Sequence, residues 1–279
     1  ATPVVTVVPM DPLIYDAWTH EPTMAPVVSD TPPTVPLEAC FDKLAVRSGW
    51  GVDDDYLLID GLGGGSHSYA DAASILDYAR FGLSCIVCED NLVWSAPEHH
   101  SMVTVTRDGE MGAVPSFPSL EANTTEAEGN VYLRILLPDF AGADWVREIH
   151  LRPGRCLVIH DTVTATEPGS YAVEAHFRIP ARAELEGRRL RSARHSETAG
   201  DVELLVSCLN DDAALRLEAL PIHLICRRKI DGEQATIVDD LEALWKARYQ
   251  TDDICLQAYA GRIAGEMAVG QSVSLTHLV

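Results

Sequence analysis

The sequence predicts an all-β chain, folded as a large antiparallel β-sandwich (a super-sandwich) with one or two short helices. Three observations carry that expectation. Short runs rich in β-branched residues recur from residue 44 onward. Turn pairs stand between them: Asp108-Gly109, Pro153-Gly154 and Pro168-Gly169. The chain has 279 residues, 47% of them hydrophobic, which is enough to fill the space between two sheets.

Half of the 16 prolines fall in the first 36 residues. Proline at that density opposes helix interiors and central strands. Residues 1–40 are therefore expected to be an extended, wrapping linker, with Leu13, Ile14, Tyr15 and Trp18 pinning it to a neighbouring surface. The sandwich is expected over 41–279. Its runs are Leu44–Gly49, Tyr56–Asp60, Ser74–Ala79, Ser84–Cys88 and Met102–Arg107. Further runs are Val131–Leu137, Trp145–Leu151, Cys156–Val163, Tyr171–Phe177, Val202–Cys208, Ile222–Cys226 and Ser272–Leu278. One helix is predicted where Asp239-Asp240 precede Leu241, Leu244, Trp245 and Arg248 at helical spacing.

Charge narrows the function classes. There are 42 Asp and Glu against 21 Lys and Arg, a net charge of −21. A field of that sign opposes nucleic-acid binding. No apolar run is long enough to span a bilayer, so no membrane partner is expected. Ala1–Val8 is apolar but lacks the basic start of a signal peptide. The basic stretch from Arg178 through Arg182, Arg188, Arg189, Arg191 and Arg194 reads as a solvated hairpin, with contact to an anionic ligand as the alternative. The seven cysteines include a C-x-x-C at Cys85 and Cys88. On a strand these two point to opposite faces, so they read as small core residues rather than a paired metal or redox site.

The chemistry-bearing stretch is Asp60-Gly61-Leu62-Gly63-Gly64-Gly65-Ser66-His67-Ser68-Tyr69-Ala70-Asp71. Its glycines allow close backbone approach. His67, Tyr69 and Asp71 alternate and share a face if the segment is extended. An imidazole, a phenol and a carboxylate suit acid/base work or metal binding. Glu89-Asp90 closes an apolar strand, and His99-His100 precedes the next one, which adds metal-ligand types.

These elements resemble the heparinase II/III-like polysaccharide lyases. The shared order is Lys43, Arg47-Ser48-Gly49-Trp50, Tyr56 to Gly61, His67-x-Tyr69-x-Asp71, Gly82, Glu89-Asp90 and His99-His100. It continues weakly through Trp145-Val146-Arg147, Pro153-Gly154-Arg155, Ile159-His160-Asp161 and His176-Phe177, covering roughly residues 40–180. The resemblance implies a β-sandwich that works with an N-terminal α/α toroid, on an acidic, uronic-acid-containing polysaccharide cleaved by β-elimination. It implies a secreted or periplasmic location. It implies catalytic roles for His67, Tyr69, Asp71 and His100. His67 would neutralise the substrate carboxylate or assist proton transfer, Tyr69 would be acid or base, and Asp71 would orient His67. Arg47, Trp50 and Trp94 would bind substrate. A Zn2+ ion would sit on Glu89 or Asp90 and on His99. The sequence departs from the family at Tyr69, where a second histidine is usual, and at His100, where an asparagine is usual. The toroid would come from another segment or chain. The alternative function is a non-catalytic carbohydrate-binding or structural sandwich.

Overall fold

A computed structural model describes residues 2–20, 34–63, 71–88, 100–220, 227–230, 233–236, 245–247, 249, 251 and 254–279. About 60% of the chain is strand and 6% helix, arranged as two antiparallel sheets of 10 and 8 strands.

The strands in chain order are β1 (Val4–Pro9), β2 (Phe41–Arg47), β3 (Tyr56–Asp60), β4 (Ile75–Arg80), β5 (Leu83–Val87), β6 (Val103–Arg107) and β7 (Glu110–Met111). Next come β8 (Ser119–Thr125), β9 (Val131–Leu137), β10 (Ala143–Arg152), β11 (Cys156–Ala165) and β12 (Gly169–Ile179). The last are β13 (Glu184–Glu186), β14 (Arg189–Ser196), β15 (Gly200–Cys208), β16 (Ala214–Leu220), β17 (Arg227–Ile230), β18 (Glu233–Thr236), β19 (Leu256–Met267) and β20 (Ser272–Leu278). The first sheet runs β1-β2-β3-β4-β5-β12-β19-β16, with β6 also on β12 and β7 on β6. The second runs β13-β14-β15-β20-β11-β10-β9-β8. A separate hairpin pairs β17 with β18.

Side-chain alternation explains the layering. Along β9, Leu133, Ile135 and Leu137 are buried while Tyr132, Arg134 and Leu136 are only half so. The inner faces of both sheets meet in one core that includes Leu44, Ile59, Trp145, Ile149, Ile159, Phe177 and Leu275. Each such aliphatic side chain contributes about 1.5–3 kcal/mol on burial.

Two expectations change. Residues 1–40 are not uniformly extended. β1 joins the first sheet as its edge strand, and a helix spans Pro12–His20. The prolines still act as expected: Pro9 ends β1 at a register shift, and an edge strand tolerates the missing N–H. Tyr15 does pin the segment. Its ring lies 5.0 Å from Phe117 and its hydroxyl donates to the Val35 carbonyl at 2.7 Å, whereas Leu13 is exposed. Second, the basic stretch is only partly solvated. Arg189 and Arg191 face water on β14, but Arg178 and Arg194 are buried.

The expected helix near residue 245 is described at 245–247 and 249. Trp245 and Tyr249 are buried in a cluster with Val87 and Leu256, behind the end of β5. The run at 222–226 lies outside the described residues.

One break in the first sheet sets up everything that follows. β12 pairs with β6 from Tyr171↔Arg107 to Ala175↔Val103, and with β5 at Arg178↔Val87. β5 and β6 therefore lie end to end along one edge of β12. β5 ends at Val87 and β6 begins at Val103.

Candidate metal-binding and acid/base site

At this break three donor side chains converge. Asp71 follows the glycine-rich stretch, Cys88 follows β5, and His100 precedes β6. A carboxylate oxygen, a thiol sulfur and an imidazole nitrogen from these residues lie within 4.8 Å of one another. The Cys88 Sγ is 2.7 Å from the His100 Nδ1. Asp71 and His100 are buried, and Cys88 is half-buried.

Local sequence dictates this geometry. Gly61 donates its N–H to the Asp42 carbonyl at 2.8 Å. Any Cβ there would fall 1.9 Å from the Phe41 carbonyl oxygen, so only glycine fits. After Asp71 the chain turns sharply back into β4, with Ala73 in the left-handed region at φ +60°. That conformation costs an alanine roughly 1–2 kcal/mol. It persists because its backbone is held on both sides: Ala73 N–H donates to the Asp60 carbonyl at 3.0 Å, and Ser74 N–H to the Asp71 carbonyl at 2.9 Å.

The electrostatics favour neutral forms before any cation binds. Burial, then the charge of Asp60, pushes the Asp71 carboxyl well above the usual carboxylate range. Asp60 is itself pushed up by burial, against the pull of Lys43, whose Nζ donates to Asp60 Oδ1 at 2.9 Å. Burial, then the charge of Asp71, pushes the Cys88 thiol up as well.

Of the residues singled out from sequence, Asp71 and His100 meet here. His67, Tyr69, Glu89, Asp90, Trp94 and His99 lie outside the described residues. Arg47 and Trp50 stand elsewhere. Arg47 pairs with Tyr56 at one end of the β2–β3 ladder, while Lys43 and Asp60 pair at the other, beside the cluster. There the Arg47 guanidinium carbon is 4.2 Å from the Tyr56 ring centre and 5.1 Å from that of Trp50, which is 81% exposed.

Cys88 is a residue the sequence reading set aside. Cys85 is buried within β5, as expected of a small core residue. Cys88 stands one residue past the strand, with its sulfur beside the His100 ring. Its position directly before Glu89-Asp90 was the available signal.

The donor set fits a zinc ion. Carboxylate, thiolate and imidazole are ordinary zinc ligands. Buried Asp71 also keeps one oxygen, Oδ1, without a hydrogen-bond partner among the described residues, an arrangement that a cation would satisfy. The described residues that could hold such an ion are Asp71, Cys88 and His100; the sequence had put Asp71 and His100 among the catalytic residues, Asp71 to orient His67.

No protein family model and no curated protein matches the chain. Solved structures do. The heparan sulfate lyase HepC from Pedobacter heparinus superposes with a TM-score of 0.58 at 12% identity, over 89% of this chain and 36% of that one. A structure of heparinase III gives a TM-score of 0.59 at 10% identity, over 89% and 37%. The heparinase III BT4657 gene product gives 0.58 at 12%, over 85% and 34%. At these identities the likeness is one of fold. The chain spans about a third of the length of each of these structures.

Proposed function

We propose that this chain is the sandwich portion of a polysaccharide lyase that cleaves a uronic-acid-containing polysaccharide by β-elimination. A helical toroid domain or chain supplies the rest of the site, in a secreted or periplasmic setting. The observation that carries the reading is the Asp71–Cys88–His100 cluster, set at the sheet break of a heparinase-like sandwich.

β-Elimination needs three things: a neutralised C5 carboxylate, a base for the C5 proton, and an acid for the departing O4. His67 and Tyr69 precede Asp71 by four and two residues on the same stretch, so holding Asp71 fixes the root of the segment that bears them. His67 offers an imidazole to the carboxylate, and Tyr69 a phenol for proton transfer. When bound, zinc supplies positive charge and ties Asp71, Cys88 and His100 together. The likeness to lyases whose chains are about three times longer supports the toroid partner.

The test is incubation of this chain, alone and with a helical partner, with a panel of polyuronates, following ultraviolet absorbance of the unsaturated product. Activity that vanishes in His67→Ala and Tyr69→Phe is the expected result. No product from any combination, with or without zinc, favours the non-catalytic carbohydrate-binding or structural sandwich.

A further inference from the structure

The second sheet reaches across the core to hold this site. Arg147 on β10 is fully buried, as is Asp161 opposite it on β11. The guanidinium Nε and Nη2 donate to the two Asp161 oxygens at 2.8 and 3.1 Å. Trp145 Nε1 donates to the same carboxylate at 2.9 Å. The remaining nitrogen, Nη1, leaves the second sheet altogether. It donates to the carbonyls of Ala73 at 2.9 Å and Ser101 at 3.1 Å.

Those two carbonyls are not arbitrary. Ala73 follows Asp71 by two residues, and Ser101 follows His100 directly. Ser101 extends the connection to the third donor, because its hydroxyl donates to the carbonyl of Val87, the residue before Cys88, at 2.6 Å. One guanidinium therefore reaches the backbone beside all three donors, directly or through Ser101. It also holds the strained Ala73.

Stability is a poor account of this arrangement. Removing two charges from water costs several kcal/mol per ion, and apolar residues of similar size in such a place are often neutral or stabilising. A lysine would supply the charge but not the planar fork that meets Asp161 in two bonds while a third nitrogen reaches two carbonyls. We propose that Arg147, oriented by Asp161, is a positioning residue for the Asp71–Cys88–His100 site: it sets the separation of the donors and with it the affinity for zinc. This rests on the reading of that cluster as a metal site.

The experiment uses the whole chain, stripped with a chelator and titrated with Zn2+ against a competing chelator. Co2+ is used in parallel to read the thiolate-to-metal absorption band. Thermal melts of the metal-free forms report folding. Arg147→Lys is expected to fold and to lose roughly 10–100-fold in zinc affinity, the usual cost of disturbing groups that orient metal ligands. Its Co2+ band should shift or weaken. The Arg147→Met/Asp161→Leu double variant is expected to melt no lower than Arg147→Lys and to show the same loss. Unchanged affinity and an unchanged Co2+ band in a folded variant overturn the positioning role. Failure of the unaltered chain to bind either metal removes the metal reading itself, and the inference with it. Failure of both variants to fold assigns the pair to the fold alone and also overturns the proposal.

Discussion

Single side chains carry the most direct consequences. If Asp71, Cys88 and His100 hold zinc, then Asp71→Asn, Cys88→Ser and His100→Ala should each lower retained zinc, with Cys88→Ser removing the Co2+ thiolate band entirely. Metal analysis of the purified variants checks this. A second residue-scale prediction concerns His277 on β20. It is buried against Phe177, with ring centres 4.8 Å apart, and neither ring nitrogen has a hydrogen-bond partner among the described residues. Burial lowers its pKa from 6.5 to about 4. Above pH 6.5 both folded and unfolded forms are neutral and nothing is lost. As pH falls below 6.5 the unfolded chain gains a proton that the folded chain refuses, so stability drops by about 3 kcal/mol by pH 4. Denaturant melts across that window should show the slope, and His277→Leu should flatten it.

These residues differ in how legible they were. Asp71 and His100 stand in a recognisable polar stretch. His277 gave no signal, because a histidine between Thr276 and Leu278 reads as an ordinary strand residue. Arg147 and Asp161 appeared only as weak fragments of a resemblance, 14 residues apart. Their pairing needs the β10–β11 register, which places Arg147 opposite Asp161, and no sequence pattern states a register.

At the level of elements, turn chemistry was the most readable feature. Asp108-Gly109 forms the expected hairpin between β6 and β7, with both residues at positive φ, +53° and +86°. The β4–β5 hairpin uses the same geometry through Phe81 at +55° and Gly82 at +69°. A Cβ on Gly82 would also meet a Val52 methyl at 3.0 Å. Gly82→Ala should therefore cost about 1–2 kcal/mol, read as a shift in the denaturation midpoint. Strands with polar or charged outer faces were harder to see. β8, β14 and β16 carry Glu121, Arg189, Arg191, Arg216 and Glu218 on those faces, and their short apolar alternation hides among charges. They are strands because neighbours supply the ladder, not because their composition demands it.

The whole molecule adds a long-range electrostatic effect. A chain of net charge −21 acting on a polyuronate works against its own field. Among the described residues, many arginines are also neutralised locally: Arg134 by Glu121 and Glu148, Arg191 by Glu186 and Glu203, and Arg216 by Glu174 and Glu218. Raising ionic strength shortens the range of that repulsion, to about 8 Å at 0.15 M. If the proposed lyase activity is present, KM for a polyuronate should fall several-fold between about 0.01 and 0.15 M salt, with kcat changing far less. A KM that rises with salt would point instead to a basic track on the partner domain.

The gap between β5 and β6 has a practical meaning for anyone redesigning this scaffold. Cys88, just past β5, has its N–H tied to the Leu76 carbonyl at 3.0 Å, and Met102, just before β6, has a carbonyl that accepts from the His176 N–H at 2.8 Å. Both are held by strands, β4 and β12, that other neighbours already fix. A redesign that keeps these two anchors therefore keeps the flanks from which Cys88 and His100 reach the cluster.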